Sequence, residues 1–190
     1  MHLNTSKMDR RKQYTRMVLK ESIISLLKVK SISAITVKEI CEEADINRST
    51  FYAHYSDQFD LLDKVEEEII QDMIKYLNQY NFDKEDETLQ MTEKLLEYIV
   101  TNKDVCHTLL NENVDTAFQQ KVMDIVHRYL MKNWAGGSLD ENVSEYFSTF
   151  IISGSIYVIK RWLKNGMDKP PRELAELVNN IINKGLAAVK

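Results

Sequence analysis

Residues 35–55 read ITVKEICEEADINRSTFYAHY, and this stretch decides the fold. Thr36-Val37-Lys38-Glu39 has the form of a capping box, in which the Thr hydroxyl accepts an amide hydrogen bond and the Glu reaches back. A helix therefore starts near Val37, with Val37, Ile40, Cys41 and Ala44 on its inner side. It meets Asp45-Ile46-Asn47. Asp is among the residues that best tolerate a tight turn between helices, and Asn47 is a good N-cap for a helix from Arg48 to about Tyr55. Two short helices joined by such a turn make a helix-turn-helix. Phe51 and Tyr55 lie at i and i+4, so they share the buried face with Ile40, Ala44 and Ile46. Arg48, Ser49, Thr50, Tyr52 and Ala53 fall nearer the outside, a polar, small and basic set suited to reading a groove.

Upstream, Leu19, Ile23, Leu26 and Leu27 make one apolar face of a helix running from about Arg10 to Val29. Downstream, a fourth helix is expected from Gln58 to about Gln79, with Glu66-Glu67-Glu68 read as a solvated face. Only 5 Gly and 2 Pro occur in 190 residues, which favours long helices over strands that need frequent turns. Further helices are expected at about Lys84–Thr101, Asp104–Glu112, Asp115–Trp134, Glu141–Lys164 and Arg172–Val189, with breaks at Gly136-Gly137-Ser138 and Pro170-Pro171. The fold class is all-α: an N-terminal three-helix domain with the helix-turn-helix over residues 1–56, followed by a larger helical bundle over residues 57–190.

Apolar content of 44% and charged content of 28% are ordinary for a globular chain and exclude the biases of disordered or collagen-like sequences. Cys41 and Cys106 lie far apart with no CxxC pair, so neither a zinc module nor a redox motif is signalled, and reduced thiols are the default. Residues 1–7 run directly into polar and basic side chains without the apolar segment of a signal peptide. The most apolar stretch, Phe150 to Ile159, is interrupted by Ser153-Gly154-Ser155 and is about half the length needed to span a bilayer. A cytoplasmic protein without a membrane partner is expected. The net charge of −4 argues against non-specific coating of nucleic acid, but it is unevenly spread. Residues 1–56 hold ten Lys and Arg against six Asp and Glu, giving +4; residues 57–190 hold fifteen against twenty-three, giving −8. Arg10, Arg11, Lys12 and Arg16 before the motif, with Lys38 and Arg48 flanking the turn, suit phosphate contacts on both sides of a groove-reading helix.

The stretch from Ile35 to Tyr55 resembles the DNA-binding signature of the TetR/AcrR family of bacterial transcriptional regulators, strongly over about residues 10–65 and in general architecture beyond. The resemblance implies a DNA-binding head on a larger ligand-binding and dimerisation body, acting as a homodimer on a palindromic double-stranded operator. By matching positions the resemblance implies that Lys38, Arg48, Thr50 and Tyr52 reach the major groove or its phosphates, and with Arg10, Arg11, Lys12, Thr36, Asn47 and Ser49 they make up the expected DNA-binding set. Arg48, at the start of the reading helix, can pair bidentately with guanine, while Thr50 and Tyr52 suit phosphates and His54 a structural role. Two positions depart from the family's pattern. Asp57-Gln58 stands where a Lys usually follows the Asp, and Asp45 stands where the turn usually has Gly. The first gives the Arg10-Arg11-Lys12 cluster more weight in affinity.

In the body, Tyr146, Phe147, Phe150, Ile151, Gly154, Tyr157 and Val158 cover more than one helix face, so that helix must be buried on two sides. Leu174, Leu177, Val178, Ile181, Ile182 and Leu186 repeat the pattern in the last helix. By resemblance these two helices form the dimer's four-helix bundle, with Phe147, Phe150, Ile151, Gly154, Tyr157, Val158, Leu174, Val178, Ile181 and Ile182 at the interface. Tyr98, His107, Met123, His127 and Trp134 lie on helices that the family uses to line its effector pocket. Asp104/His107 and Asp124/His127 each share a helix face, but a di-metal bundle site also wants Glu from further helices, so no metal and no cofactor is expected. Without a phosphate loop, nucleophile elbow or two-histidine zinc motif, no enzyme is expected. The leading expectation is a ligand-responsive repressor. Beside it stand a regulator or activator without a small effector, whose body binds a protein, and a helical interaction or metal-binding module with no DNA role.

Overall fold

The computed structural model of the chain describes residues 2–79, 85–111, 117–134 and 141–189. Among them it is entirely helical: α1 His2–Leu27, a 3₁₀ turn at Ile32–Ala34, α2 Val37–Glu43, α3 Arg48–Tyr52, α4 Gln58–Leu77, α5 Glu85–Thr101, α6 Lys103–Leu109, α7 Ala117–Trp134, α8 Glu141–Lys164 and α9 Pro171–Val189. The break expected at Gly136-Gly137-Ser138 lies outside the described residues. The chain divides into two compact units within α4, one built on residues up to Ile69 and the other on residues from Ile70 on. The boundary expected at residue 56 is thus moved into the fourth helix. Leu61, Leu62, Val65 and Ile69 of α4 are buried, and apolar side chains in that number make the first half of the helix part of the head's core.

In the head, Leu19, Ile23 and Leu27 of α1 are buried at helical spacing together with Ile35, Ile40 and Phe51. Lys20 Nζ lies 2.7 Å from a Glu68 carboxylate oxygen, tying α1 to α4. The acidic run is not one solvated face. Glu67 and Glu68 are exposed, but Glu66 is only 3% exposed, because residues 65, 66, 69 and 70 of α4 all fall on its inward side.

The turn from α2 to α3 is a Schellman motif. The Ile46 N–H donates to the Cys41 carbonyl at 3.0 Å and the Asp45 N–H to the Glu42 carbonyl at 3.4 Å. Asp45 itself has φ 51°, the left-handed conformation that Gly adopts freely and that Asp tolerates better than most residues.

In the second unit, α5 packs along α9 and α7 along α8, with α6 against α8. Leu96 and Ile99 of α5, Cys106 of α6, Trp162 and Leu163 of α8, and Leu174 and Ala175 of α9 form one buried cluster. A second Schellman motif ends α8: Met167 N–H donates to the Trp162 carbonyl at 2.8 Å and Gly166 N–H to the Leu163 carbonyl at 3.1 Å, with Gly166 at φ 74°. Trp162 Nε1 donates to the Lys169 carbonyl at 2.9 Å, so the buried indole is satisfied by the connection it holds in place.

A β-branched residue cannot adopt the Asp45 conformation without strain. Asp45→Val is expected to lower stability by about 1–2 kcal/mol, whereas Asp45→Gly avoids that strain; the denaturant midpoints of the two variants and the wild type compare them.

Candidate functional site

The start of α2 is fixed by a complete capping box. Thr36 Oγ1 accepts the Glu39 N–H at 3.3 Å, and the Glu39 carboxylate accepts the Thr36 N–H at 3.0 Å and its hydroxyl at 2.9 Å. Lys30 donates to the other oxygen of the same carboxylate. The Lys30 ammonium, followed by the Thr36 backbone and hydroxyl donors, holds the Glu39 carboxyl down at about 2. Asn47 takes the N-cap position of α3 with extended backbone, as expected, yet its side chain makes no cap bond. Its carbonyl instead accepts the Thr50 N–H at 2.9 Å and the Phe51 N–H at 3.1 Å.

Phe51 is fully buried and divides α3 into two faces. Its ring meets Tyr52 edge-on at 5.6 Å and Tyr55 tilted at 5.8 Å. On the outer side Tyr52 is 58% exposed, Arg48 and Ser49 are exposed, and Thr50 is half-buried. Arg48 makes no ion pair among the described residues, so its planar donors are open to a base edge or phosphate. Lys38 is exposed and lies 3.7 Å from Glu42, a surface pair that a phosphate can replace at little cost. Thr36 is exposed beside them. Arg10, Arg11 and Lys12 are exposed on α1, where Arg10, Arg11, Tyr14 and Thr15 line a shallow groove. His54 is half-buried with its ring 6.1 Å from Tyr55; burial, then the charges of Arg16 and Lys12, push its pKa down and favour the neutral form.

The second unit contains an apolar cavity of about 240 Å³ that is partly open at its mouth. From α5 it takes Thr88, Met91, Thr92, Leu95, Leu96 and Ile99, an i, i+3, i+4 stripe. Ile151, Ile152, Ser155, Ile156 and Ile159 of α8 and Val178, Asn179, Ile182 and Asn183 of α9 supply two more stripes. Met73 and Leu77 of α4 and Val122 and Val126 of α7 complete it.

None of the residues expected to line a ligand pocket is among these. Tyr98 stands next to Ile99, Met123 next to Val122 and His127 next to Val126, and one residue turns a helical side chain by about 100°. The Tyr98 hydroxyl lies 3.3 Å from Asp72 Oδ2, and His107 is exposed on α6. The side chain of Trp134 is outside the described residues. The sequence signal for the lining of this cavity is the small polar residues, Thr88, Thr92, Ser155 and Asn179, placed within apolar faces. Among the described residues no group of three His, Cys, Asp or Glu is placed to hold a metal ion, and Asp124 accepts instead from Gln120 Nε2 at 2.9 Å.

The two last helices also carry an outward apolar strip. Phe150, Gly154, Tyr157 and Val158 of α8 and Ile181 of α9 are exposed, and Tyr146 and Leu177, absent from the expected interface set, extend the strip. Ile151 and Leu174 turn inward, at 6% and 3% exposure, so they belong to the subunit's own interior. Val178 and Ile182 line the cavity, and Phe147 packs over Gly185. A methyl group in place of the Gly154 hydrogen would meet nothing within 4 Å in its own chain.

Residues 86–184 match the family model TetR_C_8, a transcriptional regulator C-terminal region. Over 65 residues the chain is 38% identical to YxbF, an HTH-type transcriptional regulator of Bacillus subtilis strain 168, a match that takes in 34% of this chain and only 16% of that protein. Among solved structures it is similar to a TetR transcriptional regulator from Streptococcus agalactiae 2603V, at 22% identity and a TM-score of 0.69, covering 94% of this chain and 98% of that one. A TetR-like regulator from Rhodococcus sp. RHA1 gives 12% identity, a TM-score of 0.72 and coverage of 91% and 96%. FadR from Bacillus subtilis, in complex with stearoyl-CoA, gives 13% identity, a TM-score of 0.65 and coverage of 87% and 96%.

The depressed Glu39 pKa has a pH signature. The folded value lies below that of an unfolded Glu, so the stability it contributes is complete above about pH 4.5 and is lost as pH falls towards about 2. Glu39→Gln is expected to flatten this part of the stability–pH curve, read by thermal unfolding at a series of pH values.

Proposed function

The chain belongs to the TetR family of transcriptional regulators, and from that premise we propose that it binds a two-fold-symmetric DNA operator as a homodimer and releases it when a small molecule enters the body. The observation that carries the DNA reading is α3, pinned on one side by buried Phe51 and presenting Arg48, Ser49 and Tyr52 on the other. Arg48 reads a guanine edge, Tyr52 and Thr50 hold phosphates, and Lys38 with Arg10, Arg11 and Lys12 grips the flanking backbone. The body carries an excess of acidic residues and is repelled by the duplex, which favours approach by the head.

The outward strip of Phe150, Gly154, Tyr157, Val158 and Ile181 supports a two-fold interface, since apolar side chains this exposed on adjacent helices need a partner. Such a dimer sets two reading helices about 34–36 Å apart, or a multiple of that distance, for successive major grooves on one face of the duplex. The cavity supports a small effector over a body that binds only protein, and FadR of the same fold holds a ligand of its own. Ligand in the cavity shifts the population towards a state with weaker DNA affinity. Helix α4 connects the two functions along the chain, with Leu61 and Leu62 in the head's core and Met73 and Leu77 at the cavity.

The test begins by selecting bound duplexes from random DNA with the full chain. Arg48→Ala is expected to lower affinity for the selected sequence by about 1–3 kcal/mol and to relax preference at one base pair in each half-site. An unchanged affinity and preference would remove α3 from the role of reading helix. Replacing Arg10, Arg11 and Lys12 by Ala is expected to weaken binding to all sequences alike and to lessen the salt dependence by about one unit of slope for each phosphate no longer neutralised. Phe150→Asp is expected to yield monomers in sedimentation; a dimer that persists would place the interface elsewhere.

A further inference from the structure

The cavity in the second unit has a chemical character that narrows its occupant, an inference that rests on the effector reading above. Among the described residues that line it none is charged, and none is His. Its walls are aliphatic side chains and Met, interrupted by Thr88, Thr92, Ser155, Asn179 and Asn183. Some of these polar groups are occupied by the protein itself. The Thr92 hydroxyl donates to the Thr88 carbonyl at 2.9 Å, a back-bond to the preceding turn like that of Ser22 to Val18 at 2.8 Å.

Two are not fully occupied. Asn179 is 5% exposed, and its one hydrogen bond among the described residues is from Nδ2 to the Ala175 carbonyl at 2.9 Å, which leaves the carbonyl oxygen Oδ1 without a protein donor. Ser155, on the lining face of α8, makes no hydrogen bond among the described residues, not even the back-bond usual for a helical Ser. Both residues line the cavity, and a polar atom there without a protein partner is a hydrogen-bonding position that a ligand in the cavity can fill. Asn179 offers an acceptor and Ser155 a hydroxyl that donates or accepts.

We propose that the cavity binds a compact, uncharged, largely aliphatic molecule carrying a hydroxyl group, which donates to Asn179 Oδ1 and accepts from Ser155 Oγ. An ionised carboxylate or ammonium group finds no counter-charge on these walls and would be stripped of water without repayment. At about 240 Å³ the space is below the usual range of about 300–1,000 Å³ for drug-sized ligands, which favours a small molecule.

Calorimetric titration of the full chain at neutral pH with 1-octanol, octanoate and octylamine tests this, because the three share one chain and differ in head-group charge. Octanol is expected to bind at least 100-fold more tightly than either ion. Ser155→Ala and Asn179→Leu are each expected to weaken octanol binding about 3–10-fold while the variants keep the wild-type melting temperature to within a few degrees and bind the selected DNA. Ile156→Trp, which fills the cavity, is expected to abolish binding. If either ion binds as tightly as octanol, if no probe binds, or if both polar variants leave octanol affinity unchanged, the assignment is overturned. A separate readout isolates the effector reading. Octanol that binds but leaves DNA affinity unchanged contradicts the effector role and keeps the ligand class, whereas octanoate that binds and releases DNA contradicts the class and keeps the role.

Discussion

Phe51 is fully shielded from solvent, its ring edge-on to Tyr52 and tilted against Tyr55. Burying an aromatic side chain stabilises by about 1.5–3 kcal/mol relative to leaving it exposed, which is large for a helix as short as Arg48–Tyr52. An isolated segment of that length would not hold helical structure in water, so tertiary anchoring decides both its existence and its rotation. Once the rotation is set, Arg48, Ser49 and Tyr52 have nowhere to point but outward. The capping box at Thr36 and the left-handed Asp45 serve the same end, because they fix where α2 starts and how the chain leaves it for α3. The surface proposed to read DNA is thus the outer face of a small hydrophobic anchorage.

The second unit solves a different problem. Its helices bury one continuous cluster around Trp162 and Leu174, yet the faces of α5, α8 and α9 beside that cluster line a cavity. Interiors are ordinarily packed with few voids larger than water, so an aliphatic space of this size forgoes the dispersion attraction that a filled core would have. A molecule bound there would restore it. The same helices α8 and α9 turn a second apolar side outward, which explains why α8 reads as hydrophobic around more than one face: one stripe serves the interior and another the exterior.

How much of this was legible in the sequence follows from how local each determinant is. The capping box, the turn tolerance of Asp45 and the i, i+4 pairing of Phe51 with Tyr55 involve neighbours in sequence, and each stands in the structure where the residues placed it. Most helix ends lie within three residues of the expected ones because the few Gly and Pro punctuate the chain, but α1 starts at His2, eight residues before the expected Arg10. The rotational phase of the body helices was not. Where apolar residues occupy several faces, periodicity does not say which face meets the cavity, and Tyr98, Met123 and His127 were each one position from a lining residue. The same ambiguity put Ile151 and Leu174 in the outward set and left Tyr146 and Leu177 out of it. Glu66 escaped for a related reason: a charged residue reads as solvated until the helices around it are in place, and this one lies on the inward side of α4.

Whether two copies of α3 read one duplex from one side is decided by hydroxyl-radical footprinting of the full chain on its selected DNA. Two such helices give two protected patches on the same face, with centres one helical turn or a whole number of turns apart, both lost when Arg48 is replaced by Ala. A single patch, or a footprint unmoved by that replacement, would contradict it.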